Sequence, residues 1–104
     1  MWYNINMDDY IFEWDENKNK LNIKNHKITF EEARTVFKDD LAVIEFDSEH
    51  SDYEERFHIT GLSQKGRMLL VCFCERQGNV IRLISARKAE NPEIRKYEEE
   101  NGLI

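Results

Sequence analysis

Residues 79–90, NVIRLISARKAE, thread Arg82, Arg87 and Lys88 through a β-forming run of Val80, Ile81, Leu83, Ile84 and Ala86. The chain that carries them is acidic, with a formal net charge of −6. Arginine has a planar fork of donors that matches the oxygens of a phosphate, so arginines in a strand point to an anion that must be held. The bias extends over residues 56–88. This segment holds seven bases (Arg56, Lys65, Arg67, Arg76, Arg82, Arg87, Lys88) and one acid, Glu75. It carries +6, and the rest of the chain carries −12. A basic segment in an acidic frame is the charge signature of a face that binds a phosphate chain.

Other side chains join these arginines by spacing. If Gly78 and Asn79 form a two-residue hairpin turn, Gln77 opposes Val80, Glu75 opposes Arg82 and Phe73 opposes Ile84. Glu75 and Arg82 then form either an ordinary cross-strand ion pair or an acid/base and phosphate-holding unit. Arg87 and Lys88 leave the strand near Ser85, where they either reach a cleft or pair with Glu90 and Glu93. Arg56 and His58 alternate with Phe57 and Ile59 and share a face. His58 is either a surface residue or a general base, since imidazole titrates near neutrality. Lys18, Asn22 and His26 fall at i, i+4 and i+8, on one helical stripe. His26 closes a lysine-rich helix, where it is either a favourable C-terminal cation or an acid/base group. Cys72 and Cys74 are too close to staple a fold and read as reduced, buried thiols. One CxC without a second pair is a weak metal signal, so neither metal nor cofactor is expected.

The elements that would position these residues follow from periodicity. Residues 9–15 alternate Tyr10, Phe12 and Trp14 with Asp9, Ile11 and Glu13 and predict a strand with an aromatic face. Asp15 caps a helix over 16–25, whose weak apolar face rests on Leu21. Thr29 and Glu32 form a capping box for a helix over 28–37, with an Ile28–Ala33 staple and a stripe of Phe30, Ala33, Val36 and Phe37. Strands are predicted at 41–46, 56–63, 67–76 and 80–87, with an acidic loop over 47–55. Asn91 as N-cap, Pro92 at the first turn and Gly102 after the end frame a helix over 91–101. The result is an α+β fold in one domain over 1–104: an N-terminal strand and two helices, a four-stranded antiparallel meander and a C-terminal helix. The helices are expected on one face of the sheet. No apolar run is long enough to span a membrane, and the start lacks a signal-peptide pattern, so a cytoplasmic location is expected.

The segments FEWDENKNKLNIKNHKITFEEARTVF, EERFHITGLS, GRMLLVCFCER and IRLISARKA, in that order, resemble the BrnT ribonuclease toxins of bacterial type II toxin–antitoxin systems. The resemblance runs from about Phe12 to Tyr97 and leaves residues 1–8 as an extra N-terminal segment. Lys88 departs from it, standing where the family pattern often has Arg. The resemblance implies a RelE-like fold and metal-independent RNA cleavage by 2′-OH attack. It also implies neutralisation by a BrnA-like antitoxin with a ribbon-helix-helix domain, through which alone operator DNA is reached. In that frame Arg82 and Arg87 are first candidates to stabilise the phosphorane, and Arg56 and Arg76 second. Glu75 or His26 would serve as base or acid. Lys18, Asn22 and Lys88 would position RNA. Two other functions stay open: a degenerate toxin kept as the antitoxin's partner, and an RNA-binding module without cleavage.

Overall fold

The computed structural model describes residues 2–7 and 10–104, the first of these segments by its backbone. The elements in order are β1 (Trp2–Met7), β2 (Tyr10–Asp15), α1 (Glu16–His26), α2 (Phe30–Arg34) running into a 3-10 turn (Thr35–Lys38), β3 (Val43–Phe46), a 3-10 turn (Ser48–His50), β4 (Phe57–Leu62), β5 (Met68–Arg76), β6 (Val80–Lys88) and α3 (Asn91–Glu100). All six strands form one mixed sheet in the order β1-β2-β6-β5-β4-β3. Strands β3 to β6 are antiparallel neighbours in chain order, but the sheet is larger than a four-stranded meander. Strand β2 adds alongside β6 in parallel, and β1 pairs outside β2. Much of the segment set apart as extra, residues 1–8, is therefore a strand of the sheet. Met1, Asp8 and Asp9 lie outside the described residues, so the first expected strand is seen from Tyr10.

Side-chain alternation sorts the sheet into two faces. Phe12 and Trp14 of β2, Ile81, Leu83 and Ala86 of β6, Leu69, Val71 and Phe73 of β5 and Ile59 of β4 form one buried cluster. Ile28, Phe30, Ala33 and Val36 close it from the α2 side. Phe37 wedges edge-on between Phe12 and Phe73, 5.0 Å from each ring. The opposite face carries Glu45, His58, Cys72 and Ser85, paired in sequence across four strands. Helix α3 bonds to residues of that face, Lys96 to Glu45 and Glu93 to Arg87. The expectation that all helices share one face is overturned, because β5 is buried on both sides from Leu69 to Cys74 and needs a cover on each.

The hairpin register also differs from expectation. Its connection is three residues long, with Gly78 and Asn79 both at positive φ, 74° and 64°. Arg76 therefore opposes Val80, Cys74 opposes Arg82 and Phe73 opposes Leu83. A shift by one residue turns a side chain to the other face, so Glu75 and Arg82 do not pair. A bulge at Ile84 then restores Cys72 opposite Ser85.

Helix α1 docks in an unusual way. Leu21, expected to anchor it, is exposed, as is Ile23; the buried residues are Asn19 and Asn22. The parallel pairing of β2 with β6 ends at Glu13 and Arg82. Beyond that point Asn22 takes the place of a strand. Its Oδ1 accepts from Ala86 N at 3.0 Å, and its Nδ2 donates to Ala86 O at 2.8 Å and to Ile28 O at 2.9 Å. Asn19 Oδ1 accepts from Phe30 N, which ties α1 to the start of α2. The expected capping box on α2 is half formed. Thr29 Oγ1 accepts from Glu32 N at 3.0 Å, but the Glu32 carboxylate turns away to Ser63 and Arg67. At α3 the N-cap is Glu90 rather than Asn91, with Glu90 N donating to Glu93 Oε1.

Two predictions follow from these contacts. Asn22→Ala leaves three buried backbone groups without partners and should cost about 3 kcal/mol in urea unfolding. The Arg67 hydrogen bond, opposed by burial and aided by Ser63, holds the Glu32 carboxyl below its ordinary 4.5. A depressed folded value means that the pair stabilises fully above the unfolded value and that this is lost as pH falls through the folded one. Glu32→Gln should therefore be less stable at neutral pH and lose less further stability on acidification, read as unfolding midpoint against pH.

Candidate active site

Helix α1, the N-terminal ends of the β3–β4 loop and β4, and the C-terminal half of β6 surround a cavity of about 410 Å³. Its polar wall comprises His26, Asp47, His50, Arg56, His58, Cys72, Ser85 and Arg87, and Leu70, Ile84 and Ala86 form its apolar floor. A second depression continues it along α1 past Lys18, Leu21, Asn22 and Asn25. Lys18, Asn22 and His26 thus lie on one stripe as the spacing predicted, though Asn22 is 6% exposed and spent on backbone groups.

Specific contacts hold Arg87 and Asp47 in the groove. Arg87 is gripped by Glu93, Nη1 to Oε1 at 2.9 Å and Nη2 to Oε2 at 2.7 Å, and Nη1 also donates to Lys88 O. Burial pushes the Glu93 carboxyl up, but the Arg87 and Glu90 hydrogen bonds and the charges of Arg87 and His58 hold it below its usual range. Arg56 sits where β4 begins. Its Nε is buried without a hydrogen bond, and Glu54 Oε1 stands 3.6 Å away. A buried guanidinium N–H without an acceptor is costly unless a ligand supplies one. Asp47 is 6% exposed, and its Oδ2 meets His50 Nδ1 at 2.9 Å and His58 Nε2 at 3.0 Å. Burial pushes the Asp47 carboxyl up, yet the His50 hydrogen bond and the charges of both histidines keep it below the ordinary range. Cys72 and Cys74 are free and buried, and burial pushes the Cys72 thiol up to about 11. As a neutral thiol, Cys72 is a poor nucleophile.

The remaining candidates lie elsewhere. Arg82 is on the groove face of the sheet but turns onto Glu13 of β2, with Nε and Nη2 at 3.1 and 2.7 Å from Oε2. Glu75 and Arg76 line a separate depression with Glu54 and Glu55, and Arg76 pairs with Glu54 at 3.2 Å. Lys88 is exposed and opposes Leu69, on the other face from Arg87. Sequence reasoning missed Asp47 and His50, which it read as part of an acidic loop. The i, i+3 spacing of Asp47 and His50 was the available signal.

Fold and groove together define an α+β protein with an arginine- and histidine-lined groove. Residues 14–93 match the family model described as "Ribonuclease toxin, BrnT, of type II toxin-antitoxin system", and the chain belongs to that family. The fold is similar to the crystal structure of the Brucella abortus ribonuclease toxin BrnT, with a TM-score of 0.55 at 21% identity, over 75% of this chain and 94% of that one. No curated protein matches the sequence. Among the described residues no helix is long and apolar enough to cross a membrane.

The clasp on Arg87 gives a prediction independent of RNA. Glu93→Gln should weaken both the grip on Arg87 and the cap of α3, with a loss of about 1–3 kcal/mol in chemical denaturation.

Proposed function

We propose that this chain is the endoribonuclease toxin of a type II pair, cleaving RNA without a metal cofactor in the cytoplasm. A BrnA-like antitoxin with a ribbon-helix-helix domain neutralises it and alone carries the pair to operator DNA. One observation carries the reading: His26 of α1, Arg56 and His58 at the start of β4, and Arg87 of β6 line one cavity. RNA brings its own nucleophile, the 2′-OH. The protein must take that proton, protonate the leaving 5′-oxygen and stabilise the charge gathering on the phosphorane.

Arg56 is the first cation for the phosphate, because its buried Nε has no hydrogen-bond acceptor within the described residues. Arg87 is the second. Glu93 fixes its fork, and the bonds it makes use three of the five N–H donors that a guanidinium offers. His58 is assigned as base. Asp47 holds its Nε2, which leaves Nδ1 as the proton acceptor. His26, on the α1 wall, is the acid that protonates the leaving oxygen. Lys18 extends the cationic path along the second depression. The acidic frame limits nonspecific binding to nucleic acids.

The test is RNA cleavage in excess EDTA, with folding checked by circular dichroism. Arg56→Ala and Arg87→Ala should each lower kcat/KM about 100-fold or more. Arg82→Ala, whose partner is Glu13, should stay within a few-fold of wild type. His58→Gln should lower kcat/KM about 100-fold or more. A well-folded wild type that cleaves none of several RNAs would sink the enzyme reading and favour a non-catalytic partner of the antitoxin.

A further inference from the structure

Asp47, His58 and Cys72 stand together, and the base role given to His58 accounts for the Asp47 contact but not for Cys72. A carboxylate oxygen of Asp47, a ring nitrogen of His58 and the Cys72 sulfur all lie within 4.8 Å of one another. His50 Nδ1 is 2.9 Å from the same Asp47 oxygen that meets His58. We propose that Asp47, His58 and Cys72 form a binding site for a zinc-class divalent metal, with water in the fourth position.

The donor set is one oxygen, one nitrogen and one sulfur. Thiolate and imidazole select zinc and its neighbours over magnesium and calcium, which want oxygen alone. Tetrahedral zinc at ordinary bond lengths sets its donor atoms about 3.3–3.8 Å apart, so the cluster needs only small side-chain movements. The ligands come from three places, the end of β3, β4 and β5, and the backbone fixes each. His58 and Cys72 are register partners in the β4–β5 ladder. Asp47 is pinned by its N–H to Arg56 O at 2.8 Å and by Ser51 Oγ to its own carbonyl at 2.5 Å. Binding replaces the proton shared by Asp47 and His58 with the metal, and the Cys72 thiol releases its proton to solvent as the sulfur–metal bond forms. Cys74 is two residues away on the same side of β5, but it is not within the cluster. The pair is thus not a CxC chelate, which is why the motif alone gave no useful signal.

The experiment uses untagged, metal-free protein in a phosphine reductant, titrated with Co²⁺ and then with Zn²⁺. The expected result is one Co²⁺ per chain, a near-ultraviolet thiolate-to-cobalt band and visible bands of tetrahedral intensity, all displaced by Zn²⁺. Cys72→Ser should abolish the thiolate band and Cys74→Ser should keep it. His58→Asn, at a position about one-third exposed, should weaken Zn²⁺ binding at least tenfold by calorimetry while the chain stays folded by circular dichroism. No thiolate band in wild type would overturn the site. So would a band that survives in folded Cys72→Ser, or Zn²⁺ affinity unchanged in His58→Asn. No RNA is present, so these outcomes do not depend on whether the chain cleaves it.

Discussion

One side-chain amide holds the arrangement together. Where β2 turns into α1, β6 loses its strand neighbour, and the open edge of β6 at Ala86 must be satisfied by something. Asn22 does it with one Nδ2 hydrogen and Oδ1, and its other Nδ2 hydrogen goes to Ile28 O. An amide buried without partners costs energy, but this one has every donor used, so it docks a helix whose apolar residues face outward. The position of α1 sets the position of Lys18 and His26, and hence one wall of the groove. The other wall, on β4 and β6, is fixed by the sheet itself.

Charge is arranged locally rather than by region. The basic segment does not present an unbroken basic face, because acids of the frame meet its arginines one by one: Glu13 with Arg82, Glu32 with Arg67, Glu54 with Arg76, Glu93 with Arg87. These pairs are partly exposed and individually of modest worth, apart from Glu32, whose side chain is 2% exposed. Net charge by segment therefore overstates how many cations a ligand would meet. What distinguishes the groove is that Arg56 enters it with an unmatched donor while Arg87 is oriented by a carboxylate on the adjoining helix.

The legible parts of the sequence were those with strong local rules. The alternation of Phe12 and Trp14, the cap at Asp15, the Thr29 cap and the i, i+4, i+8 stripe of α1 each depend on a few neighbours, and each is found. The Arg82–Glu75 pairing failed because one residue more in the turn, set by left-handed Asn79, reverses the face of the side chains that follow as far as the bulge at Ile84. The docking of α1 was hidden because asparagine has no hydrophobic periodicity to betray burial. Asp47 and His50 were hidden because a loop of mixed acids looks alike whether solvated or folded inward. The arginine stretch that first drew attention contributes Arg87 to the groove and commits Arg82 to a strut between β2 and β6.

The Asn22–Ala86 clasp spans 64 positions of sequence. Contacts so distant form late, because the intervening chain must first lose its freedom. A chain emerging from the ribosome has α1 long before it has β6, and until β6 arrives the groove has one wall. The polypeptide therefore cannot assemble its groove while most of it is still being made, and this topology withholds the cleft from every nascent fragment that ends before Ala86.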